Sequence, residues 1–159
     1  MIERWRIRTF VTVFLSAVIL DQFTKYLIRT TFYFGESKNI LGNFLKFTFV
    51  LNENAAFGIS VGPRWLYVLI VSIAIIFIVY YFFKNINRAN ATEVVAGTLI
   101  IAGAISNMID RLTIKYVVDF INFGIGVHRY PYFNIADSCV VVGTILLFWS
   151  FSFMRRHEK

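Results

Sequence analysis

The sequence predicts a membrane protein with an all-α core of four transmembrane helices and a small extracytoplasmic β-sheet or cradle. Three observations lead to that fold class. The 159 residues are 58% hydrophobic and 18% aromatic, with a mean hydropathy of +0.67; a soluble domain is nearer about 45–50% apolar. The apolar residues gather into runs of bilayer length, about 20 residues per spanning helix. The basic residues fall between and beyond those runs. The chain reads as one integral membrane domain over residues 1–159, with no repeat, linker or low-complexity segment.

The first span runs from about Phe10 to Ile28. It is apolar to Leu20 and then polar at Asp21, Gln22, Thr24 and Lys25. Its Arg-rich start mimics a signal peptide, but no small-x-small cleavage site follows, so it reads as an uncleaved span. Residues 29–64 form an outer region. Within it, Asn43 to Leu51 is rich in aromatic and β-branched residues with partial alternation, which predicts a strand. Gly35, Gly42, Gly58 and Gly62-Pro63 punctuate this region as turns. The second span, Trp65 to Phe83, carries no charge. The third, about Val94 to Ile109, is shorter and rich in small residues such as Ala96, Gly97, Ala102, Gly103 and Ala104. Small residues let helices approach closely inside lipid, where packing drives association. A second outer region, 110–134, leads to the fourth span, Ser138 to Met154, which Arg155 and Arg156 bound.

Charge sets the expected orientation. Segments 1–9, 84–93 and 154–159 hold eight of the 16 basic residues and carry net +5, against +2 for the rest of the chain. Such segments belong on the cytoplasmic side, which puts both termini inside and the two long connections outside. The net charge of +7 could suggest a nucleic-acid partner, but the basic residues do not cluster on one amphipathic face, and none is expected. The lone Cys139 excludes an intramolecular disulfide and any CxxC site; in its apolar run it reads as a small packing residue. No HExxH is present and there are only two histidines, His128 and His157, so neither a metal nor another cofactor is expected. A Ser-His triad would have to use His128, with no Gly-x-Ser-x-Gly to present a nucleophile.

The informative residues are Asp119 and Asp137. Each is a lone carboxylate among apolar residues, in Tyr-Val-Val-Asp-Phe-Ile and Phe-Asn-Ile-Ala-Asp-Ser. An unpaired carboxylate at membrane depth costs roughly 2.5–3.5 kcal/mol on insertion scales. Two carboxylates sharing one proton are a known means of activating water against a peptide bond without metal or nucleophilic Ser. Asn134 reads as the N-cap of the fourth helix, which places Asp137 in its first turn, where the dipole favours an anion. That position alone also explains Asp137 as a dipole-matched acid. Asp119 has no such explanation, because Val117, Val118, Phe120 and Ile121 offer it no partner. Asp21 and Lys25, four apart, share a helix face and form either a structural ion pair or a direct part of the site. Asn107 and Asp110 point the same way at the end of the third span, where Arg111 can pair with Asp110 or with lipid phosphate; a plain helix end explains them equally. Asn52, after the predicted strand, belongs either to a turn or to a grip on substrate backbone.

Five stretches taken together resemble the lipoprotein signal peptidases, or signal peptidase II, of bacterial membranes. Asp21-Gln22-Phe23-Thr24-Lys25 is similar to the family's D-x-x-T-K, and Asn52 to Phe57 to its N-x-G-x-A-F. Ala102 to Arg111 is similar to G-G-A-x-G-N-x-x-D-R, Val117 to Phe120 to V-V-D-F, and Phe133 to Ser138 to F-N-x-A-D-S. The departures are Asn54 where the family has Gly, and Ala102 and Ser106 in place of Gly in the third motif.

The resemblance implies an aspartyl endopeptidase. It would remove the signal peptide of diacylglyceryl-modified prolipoproteins just before the lipid-bearing Cys. Asp119 and Asp137 would be the catalytic pair, with Asp21, Lys25, Asn52, Asn107, Asp110, Arg111, Asn134 and Ala136 supporting or lining the site. It implies a monomer in the bacterial cytoplasmic membrane, in contact with membrane lipid, whose site lies near the outer face at the outer ends of the third and fourth spans. The residues alone also admit a small transporter or proton-conducting protein with an intramembrane relay, or a non-enzymatic assembly factor. The gathering of polar residues towards one face, and the uncharged second span, favour a one-sided site.

Overall fold

The computed structural model describes residues 2–53 and 63–154. Four long apolar helices, each capable of crossing a membrane, carry a small four-stranded antiparallel sheet at one end. Helix α1 is Arg4–Thr31, α2 is Arg64–Asn85, α3 is Ala91–Thr113 and α4 is Ile135–Trp149, which continues as a π-helical turn, Ser150–Met154. Strand β1 is Ser37–Leu41, β2 Leu45–Asn52, β3 Val117–Ile125 and β4 His128–Arg129, in the order β1-β2-β3-β4.

Helices α3 and α4 start before their predicted apolar runs because their polar N-termini are satisfied by caps. At α3, Asn90 accepts the Glu93 N–H at 2.9 Å and Glu93 accepts the Asn90 N–H at 3.1 Å, a reciprocal cap that starts the helix before the predicted Val94. At α4, Asn134 accepts the Asp137 N–H at 2.9 Å, the cap expected from the sequence, and the helix starts before Ser138. The far end of α3 closes on Lys115, whose φ of 76° is the left-handed conformation common just past a helix C-terminus.

Helix α3 is the axis of the bundle. It packs against α1, α2 and α4, and it holds most of the buried helical residues. Its small residues act as the sequence suggested. A Cβ added to Gly103 would collide with the Ala136 carbonyl of α4, and one on Gly143 of α4 would come within 2.6 Å of the Ala96 carbonyl. The outward faces remain apolar: Ile19 of α1, Ile76 of α2 and Ile145 of α4 are all more than half exposed. That is a surface made for lipid.

Two polar ties mark the end remote from the sheet. Arg6 donates to the carbonyls of Ile86, at 2.7 Å, and Ala89. Asn90 donates to Ser150 Oγ at 2.9 Å, and Ser150 in turn donates to Glu93 at 3.2 Å. The start of α1, the α2–α3 connection and the end of α4 are therefore neighbours.

The predicted strand at 43–51 is β2. The sequence reading missed β1 and, more consequentially, β3. Strand β3 is buried over its first four residues, so it shows an unbroken apolar run and no alternation. It pairs with β2 in the register Phe47↔Ile121, Val50↔Asp119 and Asn52↔Val117, with a bulge between Phe47 and Val50. Ile28 of α1 packs with Phe49, Val118 and Phe120, joining the sheet to the helices.

Candidate active site

Asp119 is on β3 and Asp137 in the first turn of α4, so one carboxylate comes from the sheet and the other from the bundle. Asp119, expected in the outer region near the end of the third span, is a strand residue. Its side chain is 2% exposed. Asn52 of β2, diagonal to it across the strand pair, donates to its Oδ2 at 2.8 Å. Asn134 donates to its Oδ1 at 2.8 Å. Burial pushes the Asp119 carboxyl up to about 7, and the nearby Asp137 charge adds to this; the bonds from Asn52 and Asn134 and the Lys25 charge oppose it.

Asp137 accepts from Asn107 Nδ2 at 2.8 Å on Oδ1 and from the Asn134 backbone N–H at 3.2 Å on Oδ2. Asn134 thus caps α4 and touches both carboxylates. Its Nδ2 also approaches Asn107 Oδ1 at 3.1 Å and the Val118 carbonyl at 3.3 Å.

Behind the pair lies a buried charge cluster. Lys25, 2% exposed, contacts Asp21 Oδ2 at 2.7 Å, Asp110 Oδ2 at 3.0 Å and Asn107 Oδ1 at 2.9 Å. The Asp21–Lys25 ion pair read from their spacing is present, and Asp110 completes it. Asp21 reaches α4 as well: its Oδ1 accepts the Ala136 N–H at 2.8 Å, one of the donors a helix start leaves open. Asp110 further accepts the Val118 N–H at 3.2 Å, which ties α3 to the strand bearing Asp119. Asp110 is therefore engaged by Lys25, and Arg111 does not pair with it. The Arg111 guanidinium instead donates to the Asn107 carbonyl at 3.0 Å and lies 5.1 Å over the Tyr67 ring of α2.

Two members of the cluster were missed in the sequence. Ser106, read only as a small residue in a helix contact, donates to Asp21 Oδ2 at 2.7 Å. Gln22 donates to Asp110 Oδ1 at 2.9 Å and to Ser106 at 3.1 Å. Their signal was available, since Gln22 is a lone amide in an apolar helix one residue from Asp21. Among the described residues, every buried side-chain nitrogen and oxygen has a partner. Asn54 lies outside the described residues.

The model for Signal peptidase (SPase) II matches residues 13–153. The chain belongs to the signal peptidase II family. That is an aspartic peptidase family, and its members are membrane proteins, as the four spanning helices require. The chain is 43% identical over 147 residues to a lipoprotein signal peptidase of Geobacillus kaustophilus, covering 91% of this chain and 93% of that one. It is 40% identical to a lipoprotein signal peptidase of Staphylococcus aureus, over 92% of this chain and 90% of the relative. A bacterial membrane enzyme structure solved in meso at 2.3 Å superposes with a TM-score of 0.88 at 38% identity, covering 100% of this chain and 96% of that one. A second, at 1.9 Å, gives a TM-score of 0.83 at 39% identity. Family membership and the match over nearly the whole chain bear out the resemblance carried by the five motifs.

Proposed function

We propose that this chain is the aspartyl endopeptidase that removes the signal peptide from diacylglyceryl-modified prolipoproteins, cleaving just before the lipid-bearing Cys. The observation that carries the reading is the pair Asp119 and Asp137, brought from sheet and helix and each held by side-chain amides. One carboxylate takes a proton from water as the water oxygen attacks the scissile carbonyl. The other, protonated, gives its proton to the carbonyl oxygen; collapse of the tetrahedral intermediate returns that proton and delivers the first to the leaving amine. Asp21, Lys25, Asn107, Asp110 and Asn134 hold the pair, Ala136 ties α4 to Asp21, Arg111 braces α3 against α2, and Asn52 orients Asp119.

The enzyme acts as a monomer in the bacterial cytoplasmic membrane, its apolar helix faces against lipid, without nucleic acid or cofactor. The basic segments 1–9 and 84–93 fall at the end of the bundle remote from the sheet, which supports cytoplasmic termini and a site near the outer face. A transporter is disfavoured by the described residues of α3: Ile101, Ala102 and Gly103 separate the site from the polar tie at Asn90, Glu93 and Ser150.

The test is incubation of the purified protein, in one membrane mimic, with diacylglyceryl-modified and unmodified precursor. Two acyl chains hold the Cys at the interface at about 0.8 kcal/mol per buried CH₂, so kcat/KM should be far higher for the lipidated substrate. A ratio near one would reduce the protein to a general intramembrane aspartyl protease, and no cleavage of either would refute the reading.

A further inference from the structure

Between the buried lysine and the two carboxylates lie the amides of Asn107 and Asn134, and the chain fixes which way each points. An ammonium carries three N–H donors and no acceptor. All three donors of Lys25 are engaged, by Asp21 Oδ2 at 2.7 Å, Asn107 Oδ1 at 2.9 Å and Asp110 Oδ2 at 3.0 Å. The Asn107 atom facing Lys25 must be its oxygen, so its nitrogen faces Asp137 Oδ1 at 2.8 Å. Asn134 is fixed likewise. Its oxygen faces the Asp137 backbone N–H at 2.9 Å, a donor that cannot invert, so its nitrogen faces Asp119 and Asn107.

The consequence for the two carboxylates differs. Asp137 is met on one oxygen by a locked amide N–H and on the other by the Asn134 backbone N–H, at the start of a helix. Each carboxylate accepts two N–H bonds, Asp119 from Asn52 and Asn134 at 2.8 Å each, so the number of bonds does not separate them. Their settings do: Asp137 is only partly buried and stands at a helix start, whose dipole favours an anion, whereas Asp119 is on a strand, 2% exposed, where burial favours the neutral form.

We propose that Lys25 is a positioning residue that places the dyad's one proton: acting through the Asn107 amide, it holds Asp137 as the anion that activates water and leaves the proton on Asp119. This rests on the peptidase reading above. In the cycle, Asp137 takes the water proton and later passes it to the leaving nitrogen as the C–N bond breaks; Asp119 gives its proton to the carbonyl oxygen and recovers it on collapse. Among the described residues, the other titratable or charged groups around the pair are Asp21 of α1 and Asp110 of α3, both bound to Lys25, Arg111 of α3, bound to the Asn107 carbonyl, and Cys139 of α4.

The test reads the proton without substrate, so it is independent of whether any prolipoprotein is cleaved. Infrared difference spectra of the full chain at pH 6 are taken, each protein minus the same protein carrying Asp137→Asn or Asp119→Asn. The Asp119 difference should contain a protonated-carboxyl band, and the Asp137 difference only carboxylate bands. Asn107→Ala should raise the midpoint of the Asp137 titration by at least one pH unit, a tenfold change in proton affinity. Lys25→Met, made together with Asp110→Asn so that one buried carboxylate is not stranded, should do the same. Should that double variant fail to fold, Asn107→Ala, which leaves the Lys25 ion pairs in place, still decides. A protonated Asp137 in the unmodified chain, or an Asp137 titration unmoved by Asn107→Ala, overturns the proposal even if cleavage is intact.

Discussion

Asp21→Asn offers the sharpest separation of structural from chemical roles. The Asp21 carboxylate is fully buried and accepts three bonds: Lys25 Nζ at 2.7 Å and Ser106 Oγ at 2.7 Å on Oδ2, and the Ala136 N–H at 2.8 Å on Oδ1. Asparagine offers one oxygen and one NH₂. With the oxygen kept towards Lys25, the NH₂ opposes the Ala136 N–H, and a buried donor stripped of its acceptor costs about 1–3 kcal/mol. Lys25 keeps Asp110, so the loss on that side stays below the roughly 3–5 kcal/mol of a buried pair broken outright. Weakening a charge-assisted bond to a neutral one costs about 1 kcal/mol more. The total is about 3 kcal/mol, and for a chain of this size each kcal/mol lowers Tm by about 2–4 °C. Thermal unfolding of the purified protein should therefore show a fall of about 10 °C, with any loss of cleavage accompanying it. A variant with a Tm within about 2 °C of the parent but no activity would refute this reasoning and move Asp21 into the chemistry.

Asp119→Asn and Asp137→Asn should each lower cleavage by at least about 10²-fold, the scale of acid–base catalysis, while the chain still folds and inserts; substantial activity in either removes it from the pair. Because the folded Asp119 carboxyl titrates near 7, above its ordinary value, it costs stability increasingly as pH rises from about 4 to 7, so the stability of Asp119→Asn relative to the parent should rise by up to about 4 kcal/mol between pH 4 and pH 8, as read by Tm at the two pH values. In a Cys139→Ala background, a cysteine at position 38 should react with an impermeant thiol reagent from outside and one at 87 only after permeabilisation; the reverse would invert the topology. Lys115→Gly should stabilise the end of α3 by about 1 kcal/mol, since Lys115 has φ of 76°, and an unchanged Tm would show that the position carries no strain.

What the sequence made legible follows from where each signal is local. The four spans, the caps at Asn134 and the Asp21–Lys25 pair depend on spacings of one to four residues or on long apolar runs, and those survive folding unchanged. Strand β3 was hidden because its helix-facing half is buried on both sides, so Val117-Val118-Asp119-Phe120 shows no period to read. The partners of Asp119 were hidden for another reason: Asn52 is 67 residues away and Asn134 is 15 away, and the strand register and helix start that bring them together are tertiary facts. The choice open to Arg111, between Asp110 and lipid phosphate, could not be made from sequence, because the residue that engages Asp110 is Lys25, 85 positions earlier and within 3.0 Å of it in the folded chain.

The division of the proposed dyad between two kinds of element has a physical sense. Asp137 stands on α4, whose first turn is clamped by Asn134 and by Asp21 through the Ala136 N–H, within a bundle locked at Gly103 and Gly143. Asp119 stands on a strand whose neighbour β2 carries a bulge and ends at Asn52, beside the long outer connection. Among the described residues, three bonds tie the Asp119 segment to the buried cluster: the Val118 N–H to Asp110, and the Asn134 amide to Asp119 itself and to the Val118 carbonyl. All three pass through residues that also hold Lys25 or Asp137. A substrate that displaced the sheet would therefore act on Asp119 and on the cation's partners together. The fixed carboxylate and the sheet-borne one are mechanically coupled through Asp110 and Asn134, so substitutions at those two positions should be the least additive with changes at Asp119.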